Sequence, residues 1–159
     1  MTAFTTFDSP LGELLIVGSK AGLTSVSVPG QRDVPVGSSY SADFNEVTRQ
    51  LQAYFAGELE QFDLPLASPG TPFQERVWAA VEQIPYGTTI SYGELARRVG
   101  APRDRIRAVA AAVGANPLLL IRPCHRVIGS DGSLTGYAGG IERKRLLLTL
   151  EGALAPQLI

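Results

Sequence analysis

Residues 91–113 read SYGELARRVGAPRDRIRAVAAAV, and this segment indicates which fold to expect for the second half of the chain. The S-x-x-E spacing that opens it is a capping box, which predicts a helix running to about Val99. Gly100-Ala101-Pro102 ends that helix, and a second helix is predicted from about Asp104 to Val113. Two short helices joined by a tight turn containing glycine indicate a helix-turn-helix, although helical hairpins with other functions share this outline.

Upstream of this motif the sequence predicts a helix and, before it, a sheet. Thr71-Pro72-Phe73-Gln74 is a helix start with a threonine N-cap, a proline at the first position and a glutamine that closes a capping box. Short apolar stretches on both sides of the turn-like residues 19–22 predict antiparallel strands, and helical spacing after residue 43 predicts a helix that ends near Gly57. The linker L-P-L-A-S-P-G at 64–70 marks a boundary between two domains.

The predicted fold class is therefore α/β. We expect a small N-terminal α/β domain with an antiparallel sheet over residues 1–69 and a mostly helical C-terminal domain with the helix-turn-helix over residues 70–159. The chain has 159 residues, of which 45% are hydrophobic and 18% charged, and this composition excludes a disordered protein. It shows neither a signal peptide nor an apolar run of membrane-spanning length, so we expect a cytoplasmic protein without membrane contact.

Charge is distributed unevenly along the chain. Residues 1–75 hold three basic and nine acidic groups, a net charge of −6, whereas residues 76–159 hold eleven basic and six acidic groups, a net charge of +5. Most of the basic groups are arginines, which suit bidentate phosphate contacts, so a polyanion would prefer the second half. The alternative is a solvated helix face, which the sequence pI of about 5.8 favours from charge alone.

The second helix of the predicted helix-turn-helix has two different faces. Ile106, Val109 and Val113 share one face, while the opposite face carries a single arginine and small residues, namely Arg107, Ala110, Ala111 and Gly114. A flat helix face lets the backbone approach closely whatever it docks on, and a lone arginine projecting from it suits a groove. Good helix propensity of alanine is the simpler explanation of the same pattern.

The chain has one cysteine and one histidine, which are adjacent at positions 124 and 125. This excludes an intramolecular disulfide and a Cys/His zinc site. Cys124 lies in I-R-P-C-H-R-V-I at 121–128, where flanking aliphatic residues predict a short buried strand and where a lone cysteine is usually a core residue. Pro123 interrupts regular pairing just before the thiol, and Arg126 with the imidazole would favour the thiolate, so we consider Cys124 a candidate nucleophile.

His125 needs a geometry that brings it towards its neighbour. Consecutive residues of extended chain point to opposite sides, so a water relay or a bent backbone has to connect the imidazole with the thiol. An acceptor must also orient the ring, and Glu151 is the best candidate because it closes an apolar helix at 141–150 just before a glycine. A carboxylate at a helix C-terminus is disfavoured by the helix dipole, which suggests a function for it.

Five short motifs follow one another along the second half of the chain: I-P-Y-G-T-T-I-S-Y-G-E-L-A at 84–96, R-A-V at 107–109, A-N-P at 115–117, P-C-H-R-V at 123–127 and T-G-Y-A-G-G at 135–140. In this order they resemble the O6-alkylguanine-DNA alkyltransferases, in the zinc-less form without a sensor domain. The resemblance covers residues 70–152 specifically and residues 1–69 in outline. This sequence departs from the family at Arg122, where relatives usually carry an aliphatic residue, and at Ala110, where glycine is common.

The resemblance implies a single-turnover repair reaction on flipped-out DNA, with a ribonuclease H-like N-terminal domain. Cys124 would take the alkyl group from O6 of guanine, His125 would act through a water molecule, and Glu151 would hold His125. Tyr92 is similar to the tyrosine that helps to rotate the nucleotide and acts near guanine N3, and Asn116 resembles the asparagine that braces the active-site turn.

The same resemblance implies a DNA-contacting helix and a pocket for the base. The helix residues are Arg107 as the finger that fills the space of the flipped nucleotide, with Ala108, Ala110, Ala111 and Gly114 around it. The pocket residues are Val127, whose backbone would accept a hydrogen bond from the base, Tyr137, Ala138 and Gly139. The expected partner is double-stranded DNA with alkylated bases, and we expect neither a cofactor nor a metal. We expect the protein to be a monomer. Cooperative binding along DNA and reaction at O4 of thymine are left open.

Three other readings compete with this one. A non-reacting alkyltransferase-like protein binds lesions without repairing them, but such relatives replace the nucleophile, and Cys124 argues against that assignment. A helix-turn-helix regulator leaves Cys124 and His125 unexplained. A Cys/His hydrolase would turn over repeatedly, whereas a thioether on cysteine is not readily reversed.

Overall fold

The computed structural model describes residues 2–101 and 105–154, which form two units. The first unit comprises residues 1–68 with 117–121, and the second comprises residues 69–116 with 122–159. The predicted start of the second helix at Asp104 and the loop at 102–104 lie outside the described residues.

The first unit is built on a four-stranded sheet. Its strands are β1 (Ala3–Ser9), β2 (Gly12–Ser19), β3 (Gly22–Ser27) and β4 (Ser39–Tyr40), in the order β3-β2-β1-β4. The predicted antiparallel strands are confirmed, because β1 pairs with β2 and β2 with β3 in that direction, while the two-residue β4 adds a parallel pair. Helix α1 (Asn45–Phe55) follows and ends just before Gly57, as the sequence predicted.

A segment from late in the chain completes this first unit. Residues 117–121 run beside β3, where the Val26 N–H donates to the Pro117 carbonyl at 2.9 Å and the Leu119 N–H donates to the Val26 carbonyl at 3.2 Å. Its apolar side chains, Leu118 to Leu120, are buried. The two hydrogen bonds form an isolated parallel bridge between Val26 and Leu118.

The second unit is helical, with α2 (Pro72–Glu82), α3 (Tyr92–Arg98), α4 (Ile106–Gly114) and α5 (Ile141–Leu150). The capping box at the start of α2 forms as predicted, with Thr71 and Gln74 each bonded to the other's backbone N–H. At α3 only half of the box forms: the Ser91 side chain caps the helix, but the Glu94 side chain pairs with Arg97. Helices α2, α3 and α4 pack on one another.

Two short strands bring the distant parts of the second unit together. β5 (Ile90–Ser91) pairs in parallel with β6 (Val127–Ile128), so Ser91 lies opposite Ile128. Tyr92 follows β5 directly, and Cys124–Arg126 precede β6 as a 3₁₀ turn. The buried strand that we predicted through Cys124 is wrong for this reason: regular extended structure begins only at Val127.

Among the described residues, no helix is long and apolar enough to span a membrane. Within the same residues, no cluster of three or more histidine, cysteine or acidic side chains has the arrangement of a metal site.

Candidate active site

Cys124 begins the 3₁₀ turn at the end of an irregular stretch of chain. Its N–H donates to the Arg122 carbonyl at 2.7 Å, a tight turn centred on Pro123, which has no N–H of its own to satisfy. The residue is 3% exposed, and it is the sole cysteine of the chain. The turn therefore presents one thiol from a fixed backbone.

Burial controls the charge of this thiol. It raises the pKa of Cys124 to about 11, against the opposing effects of the Asn116 side chain and the positive charge of Lys144. Asn116 Nδ2 donates to Sγ at 3.4 Å and to the Arg122 carbonyl at 3.3 Å. At neutral pH about one thiol in ten thousand is then ionised, so reaction requires a base to take the proton.

The structure corrects the expectation that Arg126 favours the thiolate. The Arg126 guanidinium is turned away, with Nε and Nη2 on the two oxygens of Glu151 at 2.8 and 2.9 Å and Nη1 on the Ile84 carbonyl at 2.7 Å. The cation that lowers the pKa of Cys124 is Lys144, which sequence analysis missed.

His125, Glu151 and Arg126 form one buried cluster. His125 Nε2 lies 2.8 Å from Glu151 Oε2, and the same carboxylate takes the bidentate guanidinium of Arg126. Glu151 is the C-cap of α5, followed by Gly152 at φ 79°, so the end of the helix places the carboxylate in the interior. The arginine supplies the positive charge that a buried carboxylate at a helix C-terminus requires.

The protonation of His125 follows from this cluster. Burial lowers the pKa of the imidazole more than the Glu151 carboxylate raises it, so the ring is neutral at neutral pH. The Nε2 proton then donates to Glu151, and Nδ1 carries the free lone pair. Nδ1 is buried and has no hydrogen-bond partner among the described residues, so it is available as a base.

Lys144 is buried inside the site although it sits on a charged helix. Its exposure is 0%, and Nζ donates to the Val127 carbonyl at 2.6 Å and to the Thr135 carbonyl at 2.8 Å. Burial lowers its pKa to about 8. The signal in the sequence was its spacing of three and four residues from the buried Leu147 and Leu148, which places it on the inner face of α5.

Tyr92 faces the same loop as Lys144. Its hydroxyl donates to the Thr135 carbonyl at 3.1 Å, and the Lys144 ammonium lies 5.9 Å from its ring centroid. Burial and the charge of Cys124 raise the pKa of the phenol. Gly136 passes so close that an added Cβ would lie 3.0 Å from the Tyr92 hydroxyl, a constraint that sequence analysis did not identify.

The residues expected to line a pocket differ in their exposure. Val127 is buried with its carbonyl on Lys144, and Tyr137 is buried with its ring edge-on to His125, at 6.4 Å between centroids. The Tyr137 hydroxyl has no hydrogen-bond partner among the described residues. Gly139 is buried and its carbonyl accepts from Arg143 at 3.1 Å, whereas Ala138 is exposed.

Helix α4 presents the small-residue face that the sequence predicted. Val109, Ala112 and Val113 are buried, and the outward positions Arg107, Ala111 and Gly114 are exposed, with Ala108 and Ala110 half-buried between the two faces. A Cβ added at Gly114 would meet no atom within 4 Å, so the helix surface there is open. Two residues after this helix comes Asn116, whose amide contacts the thiol.

Both units match one protein family. Residues 72–153 match the family described as 6-O-methylguanine DNA methyltransferase, DNA binding domain, and residues 3–68 match the 6-O-methylguanine DNA methyltransferase, ribonuclease-like domain. The chain therefore belongs to the O6-methylguanine-DNA methyltransferase family, as the five sequence motifs predicted.

Relatives of similar length extend this finding. The methylated-DNA–protein-cysteine methyltransferase of Methanosarcina acetivorans is 47% identical over 154 residues, which cover 94% of this chain and 98% of the relative. The protein of the same name from Mycobacterium tuberculosis is 50% identical over 159 residues, covering 98% and 96%. The crystal structure of Mycobacterium tuberculosis OGT in complex with DNA has a TM-score of 0.90 at 49% identity, covering 95% of this chain and 93% of that one. This likeness confirms the mixed α/β fold.

Proposed function

We propose that the chain repairs alkylated DNA by transferring the alkyl group from O6 of guanine to Cys124. The observation that carries the proposal is the environment of the sole thiol, which is fixed by Asn116 and followed by a neutral histidine with an unbonded Nδ1. Family membership supports it, since relatives named methylated-DNA–protein-cysteine methyltransferase are about half identical to this chain. A non-reacting lesion-binding protein is not favoured, because it would not need this nucleophile.

The reaction is a displacement at a saturated carbon. The thiol proton passes through one water molecule to His125 Nδ1, and Glu151 stabilises the imidazolium through Nε2. The Sγ–C bond forms while the C–O6 bond breaks, and the electron pair of that bond leaves with the guanine. The departing guanine anion takes one proton from Tyr92, and the proton held by His125 restores the Tyr92 phenol, so the products are guanine and neutral S-alkylcysteine.

Burial of the site has two opposite effects on the reactivity of Cys124. A thiol with a pKa of about 11 is a weak nucleophile until deprotonated, but the thiolate formed from it is strongly nucleophilic. Lys144 supplies a positive charge beside the forming thiolate. The thioether product is not readily cleaved, so each protein molecule reacts once.

DNA must present the damaged base outside the helical stack, because a base within the duplex cannot reach a buried thiol. We propose that α4 docks in the minor groove through Ala108, Ala110, Ala111 and Gly114, and that Arg107 fills the space of the flipped nucleotide. The base would then lie against Val127, Tyr137, Ala138 and Gly139. We propose that the DNA-contacting residues and the base pocket both belong to a C-terminal domain formed by residues 70–159. We also propose that the protein acts as a monomer in the cytoplasm.

Mass spectrometry of the Cys124 peptide tests this function. After incubation with duplex containing O6-methylguanine, the peptide should gain the mass of one methylene group, and duplex with ordinary guanine should leave it unchanged. Cys124→Ser is the matched control, because a serine hydroxyl at the same position is far less nucleophilic. An unmodified peptide together with tight binding of the lesion would contradict the proposal.

A further inference from the structure

We propose that Arg122 is a positioning residue for the thiol, acting through its own carbonyl; the inference deepens the proposed function and rests on it. The Arg122 carbonyl accepts both the Cys124 N–H, at 2.7 Å, and Asn116 Nδ2, at 3.3 Å. Because Asn116 Nδ2 also donates to Sγ, this one carbonyl fixes the backbone of the nucleophile and the side chain that lowers its pKa.

The side chain of Arg122 holds that carbonyl in place. Arg122 is 8% exposed, and its guanidinium carbon lies 4.5 Å from the centroid of the Trp78 ring, within the range of a cation–π contact. Burial lowers the pKa of the guanidinium, and the charges of Glu82 and Glu75 act in the opposite direction. A planar guanidinium can lie flat on an indole in a way that a lysine ammonium cannot reproduce.

Trp78 is a rigid platform for this stack. Its indole Nε1 donates to the Ala112 carbonyl on α4 at 2.8 Å, and the far edge of the ring lies so close to Gly70 that an added Cβ would come within 2.6 Å of it. Both edges of the indole are therefore fixed by backbone. Arg122 connects the thiol turn to α2 and, through the indole hydrogen bond, to α4.

Position and not charge is the route by which Arg122 acts. The groups that shift the pKa of Cys124 are burial, Asn116, Lys144 and its own backbone, and Arg122 is not among them. Replacing the arginine by lysine separates the two, because the charge stays and the flat stack is lost.

The test uses the full-length protein with Arg122→Ala and Arg122→Lys. The control is Arg76→Ala, the same change at an exposed arginine on the helix that carries Trp78. Two rates are measured against pH: alkylation of the sole cysteine by iodoacetamide without DNA, and methyl transfer from a saturating O6-methylguanine duplex. Trp78 is the only tryptophan, so its fluorescence reports both the stack and the folded state.

A lost hydrogen bond to the thiolate corresponds to about a tenfold change in ionisation. We expect Arg122→Ala to raise the apparent pKa of Cys124 by about one unit and to slow both reactions about tenfold at pH 8, with DNA affinity unchanged. Arg122→Lys should resemble Arg122→Ala, because the charge stays but the contact with the Trp78 ring is lost, and Arg76→Ala should match the parent.

Two results would overturn the inference. One is a thiol titration and a transfer rate that remain unchanged in folded Arg122→Ala. The other is weaker DNA binding with a smaller salt slope and an unchanged rate, which would make Arg122 a phosphate contact. Failure of the parent protein to accept a methyl group would contradict the proposed function alone, since the iodoacetamide titration contains no DNA and still tests the role of Arg122.

Discussion

Replacing Glu151 by glutamine removes the negative charge from the most buried ionic cluster of the described residues while keeping the shape of the side chain. The carboxylate takes His125 Nε2 at 2.8 Å and two nitrogens of Arg126 at 2.8 and 2.9 Å. Glutamine offers one carbonyl oxygen to these three nitrogens, so the Arg126 cation stays buried without its counter-charge. Breaking a buried pair in this way costs about 3–5 kcal/mol of unfolding free energy.

The same change weakens His125 as a base. Glu151 raises the pKa of the imidazole, so loss of its charge lowers that pKa further and leaves the Nε2 proton to share one carbonyl oxygen with Arg126. We expect methyl transfer to slow by about a hundredfold or more, in line with the contribution of a positioned general base.

Urea unfolding followed by Trp78 fluorescence measures the first effect, and single-turnover methyl transfer measures the second. Glu142→Gln is the matched control, because Glu142 lies in the exposed first turn of the same helix and should change stability by less than about 1 kcal/mol. The reasoning would be refuted if Glu151→Gln destabilised the protein no more than Glu142→Gln does, or if it repaired duplex at the parental rate.

Three further predictions concern the groups around the thiol and the DNA helix. The pKa of Lys144 is about 8 in the folded protein and 10.5 in the unfolded chain, so between these pH values the unfolded chain binds more protons. The parent should therefore gain stability relative to Lys144→Met as pH rises from 8 to 10.5. Urea titrations should show a gain of a few kcal/mol in the free energy of unfolding. A flat difference over this range would contradict the burial of a charged lysine. Asn116→Ala should raise the apparent thiol pKa above 11 and slow iodoacetamide labelling about tenfold at pH 8, and an unchanged titration would remove Asn116 from the site. Arg107→Ala should slow repair of duplex by about tenfold or more while repair of the same lesion in single-stranded DNA stays near the parental rate, because flipping is the step affected; equal losses on both substrates would assign Arg107 to another step.

Local chemistry made the helices of this protein predictable. The capping box at Thr71 forms both of its bonds because they join residues three apart and need no partner from elsewhere. The same pattern at Ser91 forms only half, since the Glu94 side chain finds Arg97 within one turn of its own helix. The helix starts were therefore predictable from local residues, although a local competitor such as Arg97 can take one of the two bonds of a capping box.

The thiol turn was not predictable in the same way. Aliphatic neighbours indicated a strand through Cys124, but its conformation is set by Asn116, which is eight residues away, and by the pairing of Val127 with Ile90. The position of residues 117–121 depends likewise on hydrogen bonds to the distant Val26. Contacts between residues this far apart in sequence form only in the complete fold, so local sequence patterns do not predict them.

Charge partners were the least predictable part of the site. Arg126, adjacent to the active-site pair in sequence, belongs to Glu151, and the cation beside the thiol is Lys144, twenty residues away. Both are buried, and a sequence reports the sign of a charge but not the direction in which its side chain turns.

Transfer of a labelled methyl group measures the central claim most directly. An excess of duplex with isotopically labelled O6-methylguanine is incubated with a known amount of protein, and the label on the peptide containing Cys124 is counted. We expect one label per protein molecule, with one guanine restored for each and no further turnover. Repair of many guanines per molecule, or label on any other residue, would contradict it.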